Sequence, residues 1–325
     1  MITQRALQVA ALVACSLFAG GSATPADAQA YPSKPIRTIV PFPAGTGMDI
    51  LARQLSEGIK ARTGQVLVVE SRVGAGATVA MGVLARAKPD GYTIAVSPGV
   101  SASIYTVKEI PYEPVKDFER VATLVKVPYF LLINPEKTPV SSVKELTALL
   151  KAKNGKVTFG SPNTPSLVAA KLFAKNAGID AQPVAYKSMM DAMRDLQGGD
   201  YDFMFSDTGF ALGAMKTGKV KALGVTLANR LASAPDVPTM GEAGVAGIDF
   251  YGWIGVYLPA GGPPELTEQL SKLVNDVAAS PEMQKFYVDN GYQPFATGPK
   301  AFTEFEAEIF KLWADLAKLA GIQPQ

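Results

Sequence analysis

The chain of 325 residues contains no histidine and a single cysteine, Cys15. A Ser-His-Asp triad, a Cys-His pair and a His- or Cys-ligated metal centre are therefore excluded. An excess of charge is missing too. Lysine and arginine number 31 against 29 aspartate and glutamate, which leaves a net charge of +2. So close a balance supplies no field for nucleic acid or an anionic membrane surface. After the first thirty residues no apolar run reaches the ~20 residues of a membrane-spanning helix. Disulfides are not needed, because a chain of this size can bury an adequate core. What is present is a globular composition, 48% apolar and 18% charged.

Residues 1–30 differ from the rest. Arg5 is followed by an apolar stretch from Ala6 to Phe18, then by small and polar residues ending in Ala28-Gln29-Ala30. This pattern predicts a secretory signal peptide over 1–30, cleaved near Ala30, and hence an exported protein. Leu12-Val13-Ala14-Cys15 resembles a lipobox, so lipidation at Cys15 is the competing expectation. The apolar run continues past Cys15 through Leu17 and Phe18, and a better-placed site follows, which favours simple cleavage. Loss of Arg5 and Asp27 leaves the net charge at +2.

Beyond Ala30, strand-like and helix-like segments alternate. Ile36 to Val40 is a β-branched run. Leu51, Leu55 and Ile59 recur every four residues, as on one helix face. A second strand is predicted over Gln65–Glu70, a helix through Val79, Val83 and Ala87, and a third strand over Tyr92–Val96. Strand, glycine-rich turn, helix and strand make a βαβ unit, so a parallel sheet with flanking helices is expected. The alternation restarts with strands at Phe130–Ile133, Lys156–Phe159, Pro183–Tyr186, Tyr201–Phe205 and Val220–Thr226. Helices are predicted at Val143–Lys151, Leu167–Ala177 and Met189–Leu196. The tail holds a strand at Trp253–Leu258, a helix at Pro264–Ala278 and a last helix carrying Phe302, Phe305, Ile309, Leu312 and Leu316. Two α/β lobes enclosing a cleft follow, and such clefts are preferred ligand sites.

Small-residue loops follow several strands, where ligands of open α/β sheets bind. In the first lobe, Phe42, Ala44, Gly45, Thr46 and Gly47 precede a helix whose first N–H groups lack intrahelical partners. Asp49 is a candidate N-cap there. Gly74, Ala75 and Gly76 repeat the arrangement, and Ser97 ends the third strand. Neither glycine loop has the lysine or spacing of a phosphate loop. The second lobe offers Ser161, Asn163, Thr164 and Ser166, then Tyr186, Lys187 and Ser188, then Asp207. For each hydroxyl, helix capping is the alternative to ligand contact. A micromolar ligand needs about 8 kcal/mol, so several loops must converge.

Tyr31-Pro32-Ser33-Lys34-Pro35-Ile36-Arg37, then Val40-Pro41-Phe42-Pro43-Ala44-Gly45 with Asp49 and Ala52-Arg53, resemble the opening of a known family. It is the substrate-binding proteins of tripartite tricarboxylate transporters, also called the Bug family. The resemblance continues through Val69-Glu70-Ser71-Arg72, Pro89-Asp90-Gly91-Tyr92-Thr93, Asp202-Phe203-Met204-Phe205, Ala222-Leu223-Gly224-Val225-Thr226 and Pro235-Asp236-Val237-Pro238-Thr239. It implies a periplasmic binding protein of type II, with each lobe a mostly parallel sheet. The expected division is 31–125 with 228–325 as one lobe and 126–227 as the other. It further implies a monomer that closes around a small organic carboxylate and delivers it to a two-component membrane permease, without a cofactor. The carboxylate would be held by backbone amides and ordered waters near the first two loops.

Five positions depart from the family pattern. Thr46, Asn163 and Ser188 stand where glycine is usual, Ser71 where asparagine is usual, and Leu167 where histidine is frequent. A ligand with additional hydrogen-bonding groups is the expectation they raise. Two other roles stay open: a receptor reporting to a membrane sensor kinase, and a hydrolase or isomerase using Asp207 with Tyr186 or Lys187. The enzyme role lacks paired carboxylates or a histidine to serve as a tuned base.

Overall fold

A computed structural model describes residues 31–99 and 109–320. The signal segment, with Cys15 and Ala30, lies outside the described residues.

Strand β1 (Ile36–Val40) leads into helix α1 (Gly47–Thr63), and strand β2 (Leu67–Ser71) follows. A 3-10 turn (Ala75–Ala77) precedes helix α2 (Thr78–Ala85) and strand β3 (Thr93–Pro98). β1 pairs in parallel with both β2 and β3. Leu51, Leu55 and Ile59 are fully buried, as the four-residue spacing predicts. α1 stops at Gly64, whose left-handed backbone lets its N–H reach the Lys60 carbonyl.

The second half repeats the plan. Strand β5 (Val157–Ser161) lies in parallel between β6 (Ala181–Ala185) and β7 (Phe203–Asp207). Helices α3 (Val143–Ala152), α4 (Thr164–Ala177), α5 (Met189–Gly198) and α6 (Thr208–Met215) accompany these strands. The tail supplies β9 (Tyr251–Pro259), α7 (Pro264–Ala278), α8 (Pro281–Asp289), β10 (Gln293–Thr297) and α9 (Pro299–Ala320).

One strand serves both halves. β4 runs from Phe118 to Ile133, far longer than the predicted Phe130–Ile133 segment. Its first part pairs antiparallel with β9 and β10, and its last part with β7 and β8 (Lys221–Val225). The strand order is β2-β1-β3-β9-β4-β7-β5-β6, with β8 and β10 each on β4. The parallel expectation therefore holds for three strands in each half, while the crossing strands make the sheet mixed. In the last five residues of β4, Tyr129 to Ile133, the side chains alternate between two cores, as a two-residue period demands. Tyr129, Leu131 and Ile133 join the larger cluster, and Phe130 and Leu132 the smaller.

Where the chain crosses, Thr226 ties three segments together. Its N–H donates to the Tyr129 carbonyl, and its hydroxyl accepts from the Tyr129 N–H. The same hydroxyl donates to the Phe250 carbonyl, and the Phe250 N–H returns to Thr226. Farther along β4, Arg120 is buried against Glu306 of α9 at 2.7 Å, and Tyr257 donates to the other Glu306 oxygen at 2.9 Å. Among the described residues no helix is long and apolar enough to cross a membrane.

Candidate ligand site

In the first lobe the loop after β1 is exposed from Phe42 to Gly45. Gly45 takes a left-handed backbone, and its N–H donates to Asp49 Oδ2 at 3.0 Å. The Thr46 hydroxyl turns back into the loop and donates to the Pro43 carbonyl at 2.8 Å. Thr46, not Asp49, occupies the N-cap position of α1, and it makes no side-chain capping bond. The expectation that Asp49 caps the helix is thus corrected. Asp49 sits in the first turn, where Gly45 and Arg53 Nε (2.9 Å) engage one of its oxygens. Arg53 beside it holds the buried Asp49 carboxyl below the usual range.

The second loop lies beside the first, because Val40 is in register with Ser71 and the Arg72 N–H donates to the Val40 carbonyl at 2.8 Å. Gly74 and Gly76 have positive φ, the turn runs through Ala75, and Ala77 at the N-cap of α2 makes no side-chain capping bond either. Ser97, at the end of β3, is fully buried and its hydroxyl has no partner among the described residues. Gly99 after it is required by packing: a Cβ there would fall 1.7 Å from the Trp253 ring.

The second lobe spends its polar residues differently. Asn163 caps α4 by accepting from the Ser166 N–H at 2.9 Å. Ser188 caps α5 by accepting from the Asp191 N–H at 3.1 Å, and its hydroxyl donates to the Asp191 carboxylate at 2.7 Å. Asp207 caps α6 by accepting from the Phe210 N–H at 3.3 Å. Burial pushes the Asp207 carboxyl up, against the pull of the Phe210 and Gly209 N–H groups. Thr164 opens α4, and Ser166 is fully buried with an unpartnered hydroxyl. The Tyr186 N–H binds the Ser161 carbonyl at 3.1 Å, which joins two of the predicted loops. The Tyr186 ring lies 5.7 Å from Tyr201, and burial with nearby Asp195 raises its phenol to about 12. Lys187 is exposed. Two of the departures from the family pattern, Asn163 and Ser188, are therefore occupied by their own backbones, and Thr46 by its loop.

The link between the lobes comes from residues that the sequence reading missed. A Cβ on Gly47 would stand 2.7 Å from the Tyr292 hydroxyl, so that phenol lies against the first turn of α1. A Cβ on Gly291 would stand 2.8 Å from Thr208 Cβ and 2.6 Å from Leu212 Cδ1, so the preceding residue lies against α6. The Gly291-Tyr292 dipeptide thus bridges the N-terminal ends of α1 and α6. Thr208 is fully buried, and its hydroxyl has no partner among the described residues. The Asn290-Gly291 pair signals only a turn in the sequence. Nothing local marks its neighbour as a site residue.

Two α/β halves joined by a shared strand, with loops at the strand ends and a bridge between them, define a two-lobed periplasmic binding protein. Residues 51–322 match the model of the tripartite tricarboxylate transporter family receptor, and the chain belongs to that family. Three solved structures are similar over most of the chain. The periplasmic binding protein BugD is 31% identical, covers 91% of this chain and all of its own, and has a TM-score of 0.79. Rpa4515 of R. palustris with adipate is 25% identical, with the same coverages and a TM-score of 0.83. MatC of Rhodopseudomonas palustris with bound malate is 26% identical, covers 88% of this chain and all of its own, and has a TM-score of 0.76. The chain is therefore a periplasmic solute-binding protein. The family is one of receptors, not enzymes, so the hydrolase or isomerase alternative falls.

Proposed function

We propose that this protein captures a small organic carboxylate in the periplasm and delivers it to a two-component membrane permease as a monomer. The observation that carries the reading is the state of the first-lobe helices. α1 and α2 both begin without a side-chain cap, side by side, at the ends of parallel strands. Uncapped N–H groups and the positive end of the helix dipole favour a carboxylate without requiring arginine. Adipate in Rpa4515 and malate in MatC, both carboxylates, support the same class.

In this reading Phe42, Ala44, Gly45, Thr46, Gly47, Gly74, Ala75, Gly76 and Ser97 form one wall. Ser161, Asn163, Thr164, Ser166, Tyr186, Lys187, Ser188 and Asp207 form the facing wall, with the caps shaping it as much as touching the ligand. The lobes comprise 31–125 with 228–325, and 126–227. Capture is a hinge closure, a population shift toward the closed form. The crossing at Tyr129, Thr226 and Phe250 is where such a hinge would bend. The export signal is removed near Ala30.

Thermal-shift screening of an organic-acid panel tests the class. A true ligand raises the melting temperature with concentration, as RT ln(1 + [L]/Kd). If no carboxylate shifts it while a sugar or an inorganic cation does, the class is wrong.

A further inference from the structure

Resting on the hinge closure proposed above, we infer that Lys126 is a positioning residue for capture. Its ammonium, clamped between two rings, holds the lobes apart until a ligand draws them together. Lys126 lies on β4 just before Tyr129, and Tyr129 belongs to the crossing with Thr226 and Phe250. Its Nζ stands 4.2 Å from the centroid of the Tyr251 ring and 4.7 Å from that of Phe295. A ring quadrupole attracts an ammonium within about 6 Å of its face, and more strongly where water is kept away. Lys126 is half-buried, and so are both rings. Among the described residues Lys126 makes no ion pair, so the rings are what its charge meets.

The two rings are anchored in different halves. Phe295, on β10, packs edge-on against Phe305 of α9 with centroids 4.9 Å apart, and its carbonyl accepts from the Thr123 hydroxyl. Thr123 belongs to the part of β4 that pairs with β9 and β10. Tyr251 opens β9 beside Pro128 and packs against the smaller cluster, with Phe130, Leu132 and Leu196 of the second half. Bending at the crossing therefore moves one ring relative to the other, and an ammonium between them cannot follow both. The arrangement in which the clamp is intact has an open mouth. Phe42 is 38% exposed, Phe210 40% and Met190 71%, each within or beside the loops proposed to line the cleft. Closure would cover such large apolar side chains. The clamp thus belongs to the open form and opposes every closing event. Where only the closed form binds tightly, apparent affinity falls in proportion to the fraction that is closed.

Two measurements on the mature chain test this. That chain has no cysteine of its own, so Glu57→Cys on α1 and Met190→Cys on α5, both exposed, carry a pair of spin labels, one on each lobe. Without ligand, Lys126→Gln should raise the short-distance population about fivefold. Lys126→Arg, which keeps a cation over the rings, should match the parent. The second measurement is calorimetric affinity, with malate, adipate and the rest of the organic-acid panel as probes. Each acid that binds the parent should bind Lys126→Gln about fivefold more tightly, and Lys126→Arg as the parent does. A cation that touched the ligand or merely held the fold would weaken binding when removed. Phe295→Leu should act like Lys126→Gln, and the double variant like either alone. Circular dichroism and melting temperature show that each variant is folded. Unchanged label distances in Lys126→Gln, weaker binding by it, or an equal response to Lys126→Arg overturns the inference while the hinge and carboxylate readings stand. If acids bind the parent without shortening the label distance, hinge closure fails and the inference with it. A panel in which no acid binds defeats the carboxylate reading. A ligand-free rise in the short-distance population then still supports the clamp, and its absence overturns it.

Discussion

The two halves repeat one plan, yet the helices that follow the candidate site loops begin in opposite ways. α1 and α2 of the first lobe start bare, at Thr46 and Ala77. α4, α5 and α6 of the second start under Asn163, Ser188 and Asp207. A cap on an N-terminal turn is worth about 1 kcal/mol, so its omission at two neighbouring helices forgoes stability at one place. Binding sites are where such local conflicts are expected. In the proposed reading, the capped helices of the second lobe make a firm wall, and the bare starts of α1 and α2 leave donors open to an anion.

The largest expected effect comes from giving the bare lobe a charged cap. Thr46→Asp puts a carboxylate where the proposed reading places the ligand carboxylate. Two unit charges about 4 Å apart at an effective dielectric near 20 repel by about 4 kcal/mol. Affinity for any carboxylate that binds the parent protein should fall at least a hundredfold by calorimetry. The melting temperature should stay within about 2 °C, because cap gain and repulsion from Asp49 offset. Asn163→Asp, the same charge on an already capped helix, should change affinity less than tenfold. Equal losses in both variants would end the distinction between the lobes.

Next comes the bridge. Gly47→Ala places a Cβ 2.7 Å from the Tyr292 hydroxyl, and overpacking of that kind costs about 1–3 kcal/mol. Adding Tyr292→Phe should recover most of the loss, since the nearest remaining ring atom is 3.9 Å away. In the second lobe Gly213 has open space around its Cβ position within α6. Gly213→Ala should therefore stabilise by about 0.5–1 kcal/mol. Chemical denaturation of the three variants checks the set, and a Gly47→Ala loss that Tyr292→Phe fails to relieve would remove Tyr292 from the α1 terminus.

A smaller effect tests the caps as caps. Asn163→Ala and Ser188→Ala should each cost about 1 kcal/mol, read as a drop of roughly 2–4 °C in melting temperature. Ligand affinity should change by less than threefold. A tenfold loss of affinity from either would show that the second lobe touches the ligand through its cap residues.

Which parts of this contrast were legible beforehand follows from how local each signal is. The buried stripe of Leu51, Leu55 and Ile59 is written in consecutive residues, and so are the β-branched strands. β4 was seen only at Phe130–Ile133, because Glu119, Arg120, Lys126 and Pro128 interrupt its apolar pattern. Arg120 is buried there because Glu306 meets it from α9, 186 residues away, and the carbonyls of Pro114, Val115 and Phe118 take its other N–H groups. α6 escaped notice because Thr208-Gly209-Phe210-Ala211-Leu212-Gly213 has two glycines and no clear helical period. The candidate loops were picked out by their glycines and hydroxyls, but residue type does not tell a cap from a ligand contact. That depends on the backbone geometry of Asn163 and Ser188. The approach of Tyr292 to Gly47 joins positions far apart in the chain, and only the tertiary fold brings them together.

The smallest expected effect separates the lobes by acid titration. Asp49 in the bare lobe has its carboxyl lowered by Arg53, and Asp207 in the capped lobe has its carboxyl raised by burial. Linkage gives opposite signs. For Asp49 the folded pKa lies below the unfolded value of about 3.9, so its stabilising contribution is present above that value. It is lost as pH falls through the folded pKa. Asp49→Asn should therefore destabilise at pH 7, and the difference from the parent should shrink in acid. For Asp207 the folded pKa lies above the unfolded value. Its unfavourable contribution is fully present at pH above the folded pKa and disappears as pH falls to the unfolded one. Asp207→Asn should then be the more stable protein at neutral pH, with the gain fading toward pH 4, because asparagine caps α6 comparably and carries no buried charge. Urea midpoints of both variants and the parent, measured from pH 7 down to about pH 2, read the two slopes, that of Asp207 above pH 4 and that of Asp49 below it. Slopes of the same sign would mean that the acids sit in equivalent environments, and the division of labour between a ligand-holding lobe and a supporting one would lose its electrostatic basis.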